Sequence, residues 1–224
     1  MNQPESLFFS KPEVEALHGN LLEKFEMPIY NLEKHQFEYM QEGKEVVLRL
    51  PIHVHVANNV LDLEHKVKYL MLLVQTSSAS VGVFEDDECL EHKVFTAYMV
   101  RKKQGKSQIK HLKTKGKSRA GSRVRLAKGL EFFDNINTRI TRHCQENEFD
   151  RIAFSCSKIL MPYLFGAKVP TPFDRKDERI YKIPKHLHQP TFEVMLGMQR
   201  FLNKAELIFD PKDFPEMKEI RDYL

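Results

Sequence analysis

The chain has 224 residues, of which 42% are hydrophobic and 29% charged, as in an ordinary globular protein and unlike a disordered chain. This length fits one large domain, or one domain with an appendage, whose core needs neither disulfides nor metals for stability. The net charge is a modest +4, the longest apolar run, Tyr69 to Val74, is far short of the roughly 20 residues that span a bilayer, and no signal peptide is recognisable, so we expect a cytoplasmic protein without membrane contact.

The first 60 residues are predicted to form an N-terminal extension that packs on a main domain of residues 61–224. Ser10 and Glu13 form a capping-box pattern with Pro12 in the first turn, and apolar residues follow at helical spacing, which predicts a helix from about 12 to 26. Residues 31–44 have an irregular pattern, and the alternating apolar residues from Val46 to Val56 predict strand around Pro51. No chemical motif is visible in this extension.

The clearest β signal follows in the main domain. Tyr69–Gln75, Ser80–Phe84 and Lys93–Val100 each predict a strand, and the acidic stretch from Glu85 to Glu88 predicts a turn between the second and third strands.

A long amphipathic helix is predicted from Ser118 or Ser122 to about residue 146, because apolar residues recur there every three or four positions. Further elements are predicted as two strands, a helix and a strand, at Arg151–Ser155, Arg179–Ile183, Thr191–Asn203 and Glu206–Phe209. Strands that alternate with helices indicate an α/β fold with a mixed or largely parallel sheet flanked by helices.

The positive charge is concentrated in one segment. Arg101 to Lys128 contains 12 Lys and Arg residues and no Asp or Glu, which leaves 23 basic and 31 acidic residues, a net charge of −8, elsewhere. A mildly acidic body with one basic segment indicates a polyanionic partner that binds at a single place.

Much of this basic segment is predicted to be an exposed loop between the third strand and the long helix. Arg101 to Lys117 is about 17 residues with two glycines, and a loop of that length is usually functional or disordered. Arg119, Arg123 and Arg125 continue the positive charge into the first turns of the helix, where cations oppose the macrodipole. That local conflict with stability favours function, since sequences tend to break stability rules at working sites.

Charge alone leaves open a solubilising loop or a nucleic-acid-binding one. No acidic residue accompanies the loop to hold Mg²⁺, and its histidine, His111, has no carboxylate near it in sequence. A metal nuclease or a conventional acid–base pair is therefore not encoded locally.

The order of elements here resembles a known family. A strand KVFTAYMV, the loop RKKQGKSQ, a basic spacer, SRAGSRVR and a long helix are similar to the catalytic domain of the Vms-like release factor family, in its bacterial branch. That family is related to the middle domain of eukaryotic class I peptide-chain release factors. The resemblance covers about Tyr69 to Phe209, is most specific from Val100 to Arg125, and includes PTFEV at Pro190–Val194.

The resemblance implies a release-factor middle-domain-like fold with a strand-to-helix catalytic loop that reaches the peptidyl-transferase centre. It implies cleavage of peptidyl-tRNA on stalled large ribosomal subunits in ribosome quality control, either at the peptide ester or by an endonucleolytic cut near the 3′ end of the tRNA. The implied partners are the large ribosomal subunit, peptidyl-tRNA and rRNA, and no cofactor or metal is implied. The alternative function is a non-catalytic ribosome- or RNA-binding module.

The resemblance also assigns residues. Gln108 matches the catalytic glutamine of the family's Gly-Gly-Ser-Gln form, Gly105 the first glycine and Ser107 the serine, whereas Lys106 stands at the second glycine. The Arg-Arg pair of the family is half present, as Arg125 followed by Leu126. The basic residues implied to bind RNA are Arg101, Lys102, Lys103, Lys106, Lys110, Lys113, Lys115, Lys117, Arg119, Arg123 and Arg125.

Glutamine suits a positioning role. Its amide does not take up a proton near neutrality, but it is both donor and acceptor and can orient a water molecule or an RNA 2′-hydroxyl. Charge stabilisation is then expected from the RNA and from the surrounding lysines and arginines.

Two His-x-His pairs and three cysteines are candidate metal ligands. His53 with His55, and His186 with His188, have no nearby cysteine or carboxylate that completes a recognisable ligand set, so no metal site is predicted. Cysteines 89, 144 and 156 are odd in number and far apart, which predicts ordinary buried or half-buried thiols.

Overall fold

The computed structural model describes residues 4–76, 78–97 and 117–223, with the backbone alone for 117–128 and for 223. The helices are α1 (Lys11–Lys24), α2 (Lys117–Glu146), α3 (Met161–Phe165) and α4 (Phe192–Leu202), and a 3₁₀ helix spans Pro215–Tyr223. The strands of the described ranges are β1 (Glu5–Phe9), β2 (Ile29–Asn31), β3 (Gln36–Gln41), β4 (Lys44–Arg49), β5 (His55–Ala57), β6 (Val60–Asp62), β7 (Lys68–Gln75), β8 (Ser78–Glu85), β9 (Glu88–Thr96), β10 (Arg151–Cys156), β11 (Ile180–Lys182) and β12 (Ala205–Phe209).

Sheet 1 is antiparallel and has the strand order β1-β12-β4-β3-β2. Its strand β12 comes from the far end of the sequence and lies between β1 and β4, with Leu207 opposite both Leu7 and Leu48. The core of this sheet is formed with α1 and the 3₁₀ helix, from which fully buried Leu17, Leu21 and Met217 pack together with the strands. The division at residue 60 stays a prediction, but the pairing of β12 shows that sheet 1 joins both ends of the chain.

Tight hairpins hold the short strands in register. Glu42 and Gly43, between β3 and β4, both have positive φ (51° and 78°), as do Asn58 and Asn59 (51° and 63°) between β5 and β6. Two consecutive left-handed residues give the turn whose twist matches paired strands. The β5–β6 pair forms a separate two-stranded sheet between sheet 1 and sheet 2 in the sequence.

Sheet 2 is mixed and has the order β11-β10-β7-β8-β9, with β11, β10 and β7 parallel and β8 and β9 antiparallel additions. Alternate residues of β7 face opposite sides. Leu70 and Leu72 pack in the core with α2 and α3, whereas Met71 and Leu73 pack with α4. Burial on both faces explains why β7 is a continuous apolar run.

The sequence therefore predicted a mixed α/β class that the structure confirms, and it located α1, β7, β8, α2, β10, β11, α4 and β12 within a few residues. Three predictions were wrong. Residues 31–44 contain β3 and the end of β2 and are not irregular, the strand around Pro51 is interrupted between Arg49 and His55, and β9 is Glu88–Thr96 instead of Lys93–Val100. The strand β9 lies at the edge of sheet 2 with mostly half-buried or exposed side chains, so its first residues, Glu88–Glu91, lack an apolar alternation.

Within the described ranges, no helix is long and apolar enough to cross a membrane.

Candidate nucleic-acid interface

The predicted loop itself lies outside the described residues. Arg101 to Gln108, with Lys102, Lys103, Gly105, Lys106 and Ser107, falls there, and so do Lys110, Lys113 and Lys115. Lys117, Arg119, Arg123 and Arg125 lie on α2, where the backbone is described. What the structure establishes is the pair of elements that precede and follow the loop, β9 and α2.

Helix α2 runs antiparallel to β9. It ends at Glu146, and after four intervening residues β10 begins beside the start of β7, with Arg151 opposite Tyr69. Because β7 and β9 both pair antiparallel with β8, the starts of β7, β9 and β10 lie at one end of sheet 2. We call this the acidic end, since the turn Asp86–Asp87 and Asp150 lie there, and we call the opposite end, where β9 stops at Thr96, the loop end.

The long helix reaches beyond the loop end. The contact of Arg139 with Glu91 fixes α2 against β9 near the acidic end. From Arg139 back to Lys117 the helix rises about 33 Å, at 1.5 Å per residue. From Glu91 to Thr96 the strand advances about 17 Å. The first turns of α2, with four of the predicted RNA-binding residues, therefore begin past the end of the strand.

Glu91 connects the two elements that flank the loop. Its carboxylate accepts a hydrogen bond from the Arg139 guanidinium, and its second oxygen lies 3.6 Å from Nδ1 of the fully buried His143. Burial lowers the pKa of His143, and the positive charge of Arg139 lowers it further. His143 is therefore neutral at physiological pH, and the ion pair of Arg139 with Glu91 supplies the charge interaction between α2 and β9.

A buried amide holds α2 to the next part of the chain. Asn137 is fully buried, and its Nδ2 donates hydrogen bonds of 2.8 Å to the carbonyl oxygens of both Leu164 and Val169. Asp134 adds a third bond, since its Oδ1 accepts from the backbone N–H of Val169 at 3.0 Å. These bonds satisfy backbone groups in the last turn of α3 and in the loop that follows it. They fix the helix whose first turns carry the basic residues.

The described thiols are poor nucleophiles. Cys89, Cys144 and Cys156 are free and half-buried, as the sequence predicted. Burial raises the pKa of all three, that of Cys156 to about 12, so the reactive thiolate is scarce at neutral pH.

The His-x-His pairs have different surroundings in the structure. His53 is buried, whereas His55 is half-buried and its ring lies 4.4 Å from that of His65. His186 and His188 have ring centroids 5.2 Å apart. His65 and Asp150 lie close to His55 in the structure. The sequence did not predict this cluster, because no short spacing motif links the three residues.

Comparison with known proteins places this mixed α/β domain, with its basic connection from β9 to α2, among release factors. A family model described as the Bacteroidetes VLRF1 release factor matches residues 69–209. That is more than half of the chain, and the protein belongs to this family. The match confirms the resemblance to Vms-like release factors, and it spans both Gln108 and the whole basic segment.

A solved structure described as "Vms1 mitochondrial localization core" is similar at 12% sequence identity and a TM-score of 0.39. The alignment covers 86% of this chain and 79% of that one. No curated protein sequence matches the chain.

Proposed function

We propose that this protein cleaves peptidyl-tRNA on stalled large ribosomal subunits, and so releases the nascent chain in ribosome quality control. The observation that carries the proposal is the release factor family match over residues 69–209, which contains the connection from β9 to α2 with Gln108. The positioning role proposed for Gln108 in this reaction needs neither a metal nor a cofactor.

Gln108 is proposed to position the attacking group. An amide side chain donates and accepts hydrogen bonds at once, so it can hold a water molecule against the ester carbon or a 2′-hydroxyl against a phosphorus. Holding reactants in line in this way accounts for a large part of many rate enhancements without any proton transfer to the enzyme.

The cations of the basic segment are proposed to bind the RNA backbone and to stabilise developing negative charge. Lys102, Lys103 and Lys106 precede Gln108 in sequence, and the arginines at the start of α2 follow it. The elements that flank the loop support this role, because α2 begins past the end of β9 and is held to the body by Glu91 and by Asn137. We therefore propose that a polyanionic partner binds where β9 leads into α2.

The test is a cleavage assay on purified large subunits that carry nascent peptidyl-tRNA. Wild-type protein should remove the peptidyl-tRNA band, and Gln108→Ala should slow that loss about 100-fold if positioning is its role. Gln104→Ala is the matched control, since it removes the same side chain from the same loop four residues earlier. Wild-type protein without activity, or equal loss in both variants, would refute the proposal.

The same reaction identifies the bond that is cut. Ester hydrolysis leaves a tRNA of full length, whereas a cut near the 3′ end shortens the tRNA and leaves nucleotides on the peptide. Gel analysis of tRNA labelled at its 5′ end separates the two products.

A second candidate function is a non-catalytic ribosome- or RNA-binding module, and Lys106 is the observation that favours it. A side chain at the second glycine position restricts the backbone if positive φ is needed there. Lys106→Gly tests this: it should raise the cleavage rate of an enzyme and leave a pure binder inactive. In a binder, Gln108→Ala should also leave affinity for the subunit unchanged.

A further inference from the structure

Three metal-binding side chains from distant parts of the chain meet at the acidic end of sheet 2. His55 lies on β5, His65 follows β6, and Asp150 precedes β10. One ligand atom from each lies within 4.8 Å of the other two. His65 Nε2 and Asp150 Oδ1 are 3.1 Å apart, and the His55 and His65 rings are 4.4 Å apart.

This spacing suits a divalent metal ion. Ligand atoms bound to tetrahedral zinc at 2.0–2.1 Å are about 3.3 Å from each other, close to the separation of His65 and Asp150. Two imidazoles and one carboxylate are a donor set that zinc uses, with the fourth position left to water. The side chains of His65 and Asp150 are 39% and 28% exposed, so an ion can enter from solvent.

The donors are already oriented by other bonds. Asp150 Oδ2 accepts the backbone N–H of Lys68 at 2.8 Å, which leaves Oδ1 directed at His65. Asp62 stands opposite His55 in the β5–β6 hairpin, and its Oδ1 accepts the backbone N–H of His65 at 3.0 Å. Such outer contacts fix ligand geometry before a metal binds.

A second cluster, formed by Glu91, His143 and Glu146, is a weaker candidate. Both of its carboxylates are engaged by guanidinium groups, Glu91 by Arg139 and Glu146 by Arg142. Among the described residues, by contrast, the ion-pair partner of Asp150 is His65, a ligand of the same cluster. A bound ion would there replace one weak hydrogen bond and would not have to displace an arginine.

We propose that His55, His65 and Asp150 bind one zinc ion, which ties the β5–β6 hairpin to the start of β7 and β10. The site lies at the acidic end, and β7 alone separates the two ends of sheet 2 by about 23 Å. The proposed zinc ion therefore lies far from Thr96, where β9 ends before the loop, and it has no part in the proposed cleavage of peptidyl-tRNA.

Zinc binding to the full chain, measured by competition with a chromophoric chelator, tests the proposal. Wild-type protein should bind one zinc per chain, and His55→Asn and His65→Asn should each weaken binding at least about tenfold. The double variant His186→Asn/His188→Asn is the matched control, because it removes the other pair of neighbouring rings and should bind like wild type. Gln108→Ala should also bind like wild type.

A chemical measurement on the unmodified protein covers the case in which a variant fails to fold. Zinc should protect His55 and His65, but not His186 and His188, from acylation by diethyl pyrocarbonate. The proposal is overturned if zinc protects neither histidine, or if wild type binds zinc no more tightly than folded His65→Asn.

Discussion

The two ends of sheet 2 differ in charge and in how they are built. At the loop end, β9 leads into a segment with 12 basic residues and no acidic one, and α2 extends past the strand. At the acidic end, short turns bring Asp86, Asp87 and Asp150 next to β7, and Asp86 and Asp150 accept backbone N–H groups of Val67 and Lys68. Acidic side chains there complete the fold.

We propose that the two ends of this sheet support two separable tasks. The acidic end ties together segments that are far apart in sequence, and it carries the proposed zinc site. The loop end leads into the segment that contains Gln108, the proposed positioning residue. Changes at one end should therefore leave the other unaffected, and the following predictions test that separation from the largest expected effect to the smallest.

Neutralising the loop should have the largest effect. Lys102, Lys103 and Lys106 changed together to Gln should weaken binding to large subunits about 100-fold, because three phosphate contacts are lost. The slope of log affinity against log salt should fall by about two to three. Titrations at several salt concentrations measure both quantities.

Lysines of the acidic body provide the control for charge alone. Lys34, Lys66 and Lys176 are exposed. Changing all three to Gln alters the net charge of the protein by the same amount as the triple change in the loop. An equal loss of affinity in this control would contradict a single basic interface.

Breaking the attachment of α2 should come next. Asn137→Ala removes two hydrogen bonds to buried carbonyl groups and leaves a cavity, so the free energy of unfolding should fall by about 2 kcal/mol. Urea unfolding followed by circular dichroism measures it. Without urea, and at a temperature where the variant is folded, the slope of its log affinity for large subunits against log salt should match that of wild type. A shallower slope would mean that RNA binding by the basic segment depends on this attachment of α2.

Acid sensitivity should arise away from the loop. His35 is fully buried, with its ring nitrogens 2.6 Å from the Tyr30 hydroxyl and 3.0 Å from the Pro51 carbonyl oxygen. Burial lowers the pKa of His35 well below its ordinary range, and the positive charges of Arg151 and Arg49 act in the same direction. The folded state therefore resists a proton that the unfolded chain accepts.

The direction of the pH dependence follows from this difference between the folded and unfolded pKa of His35. Stability is complete above the ordinary histidine pKa of about 6.5 and is lost as pH falls below it toward the lower pKa of the folded state. His35 should account for about 1 kcal/mol of the loss between pH 7 and pH 5.5. His35→Gln should flatten that part of the stability profile, whereas His186→Gln should not; equal profiles for all three proteins would assign the acid sensitivity elsewhere.

The smallest effect is expected where the loop's flanking elements meet. Glu91→Gln keeps a hydrogen-bond acceptor but removes the charge that pairs with Arg139, and a partly exposed pair contributes about 0.5 kcal/mol. Thermal unfolding at low and high salt should show the loss of stability mainly at low salt. A deficit that is equal at both salt concentrations would mean that Glu91 acts through packing.

The sequence by itself determined the family, and it determined those elements in which apolar residues recur with a clear period. The apolar run of β7, the three-to-four spacing of α2 and the capped start of α1 are local patterns, and the order of strand, basic loop and helix is specific enough to identify the release factor family. Gln108 could be named for the same reason, since its assignment depends on neighbours in sequence.

Tertiary structure alone decided which distant residues meet. Sequence spacing did not indicate that β12 would join β1 and β4, that Asn137 would satisfy two carbonyl groups, or that His55 would meet His65 and Asp150. It also missed the start of β9, because an edge strand with little burial has no apolar alternation. Local patterns report how one segment buries its own face, whereas these contacts depend on strand register and packing between segments far apart in the chain.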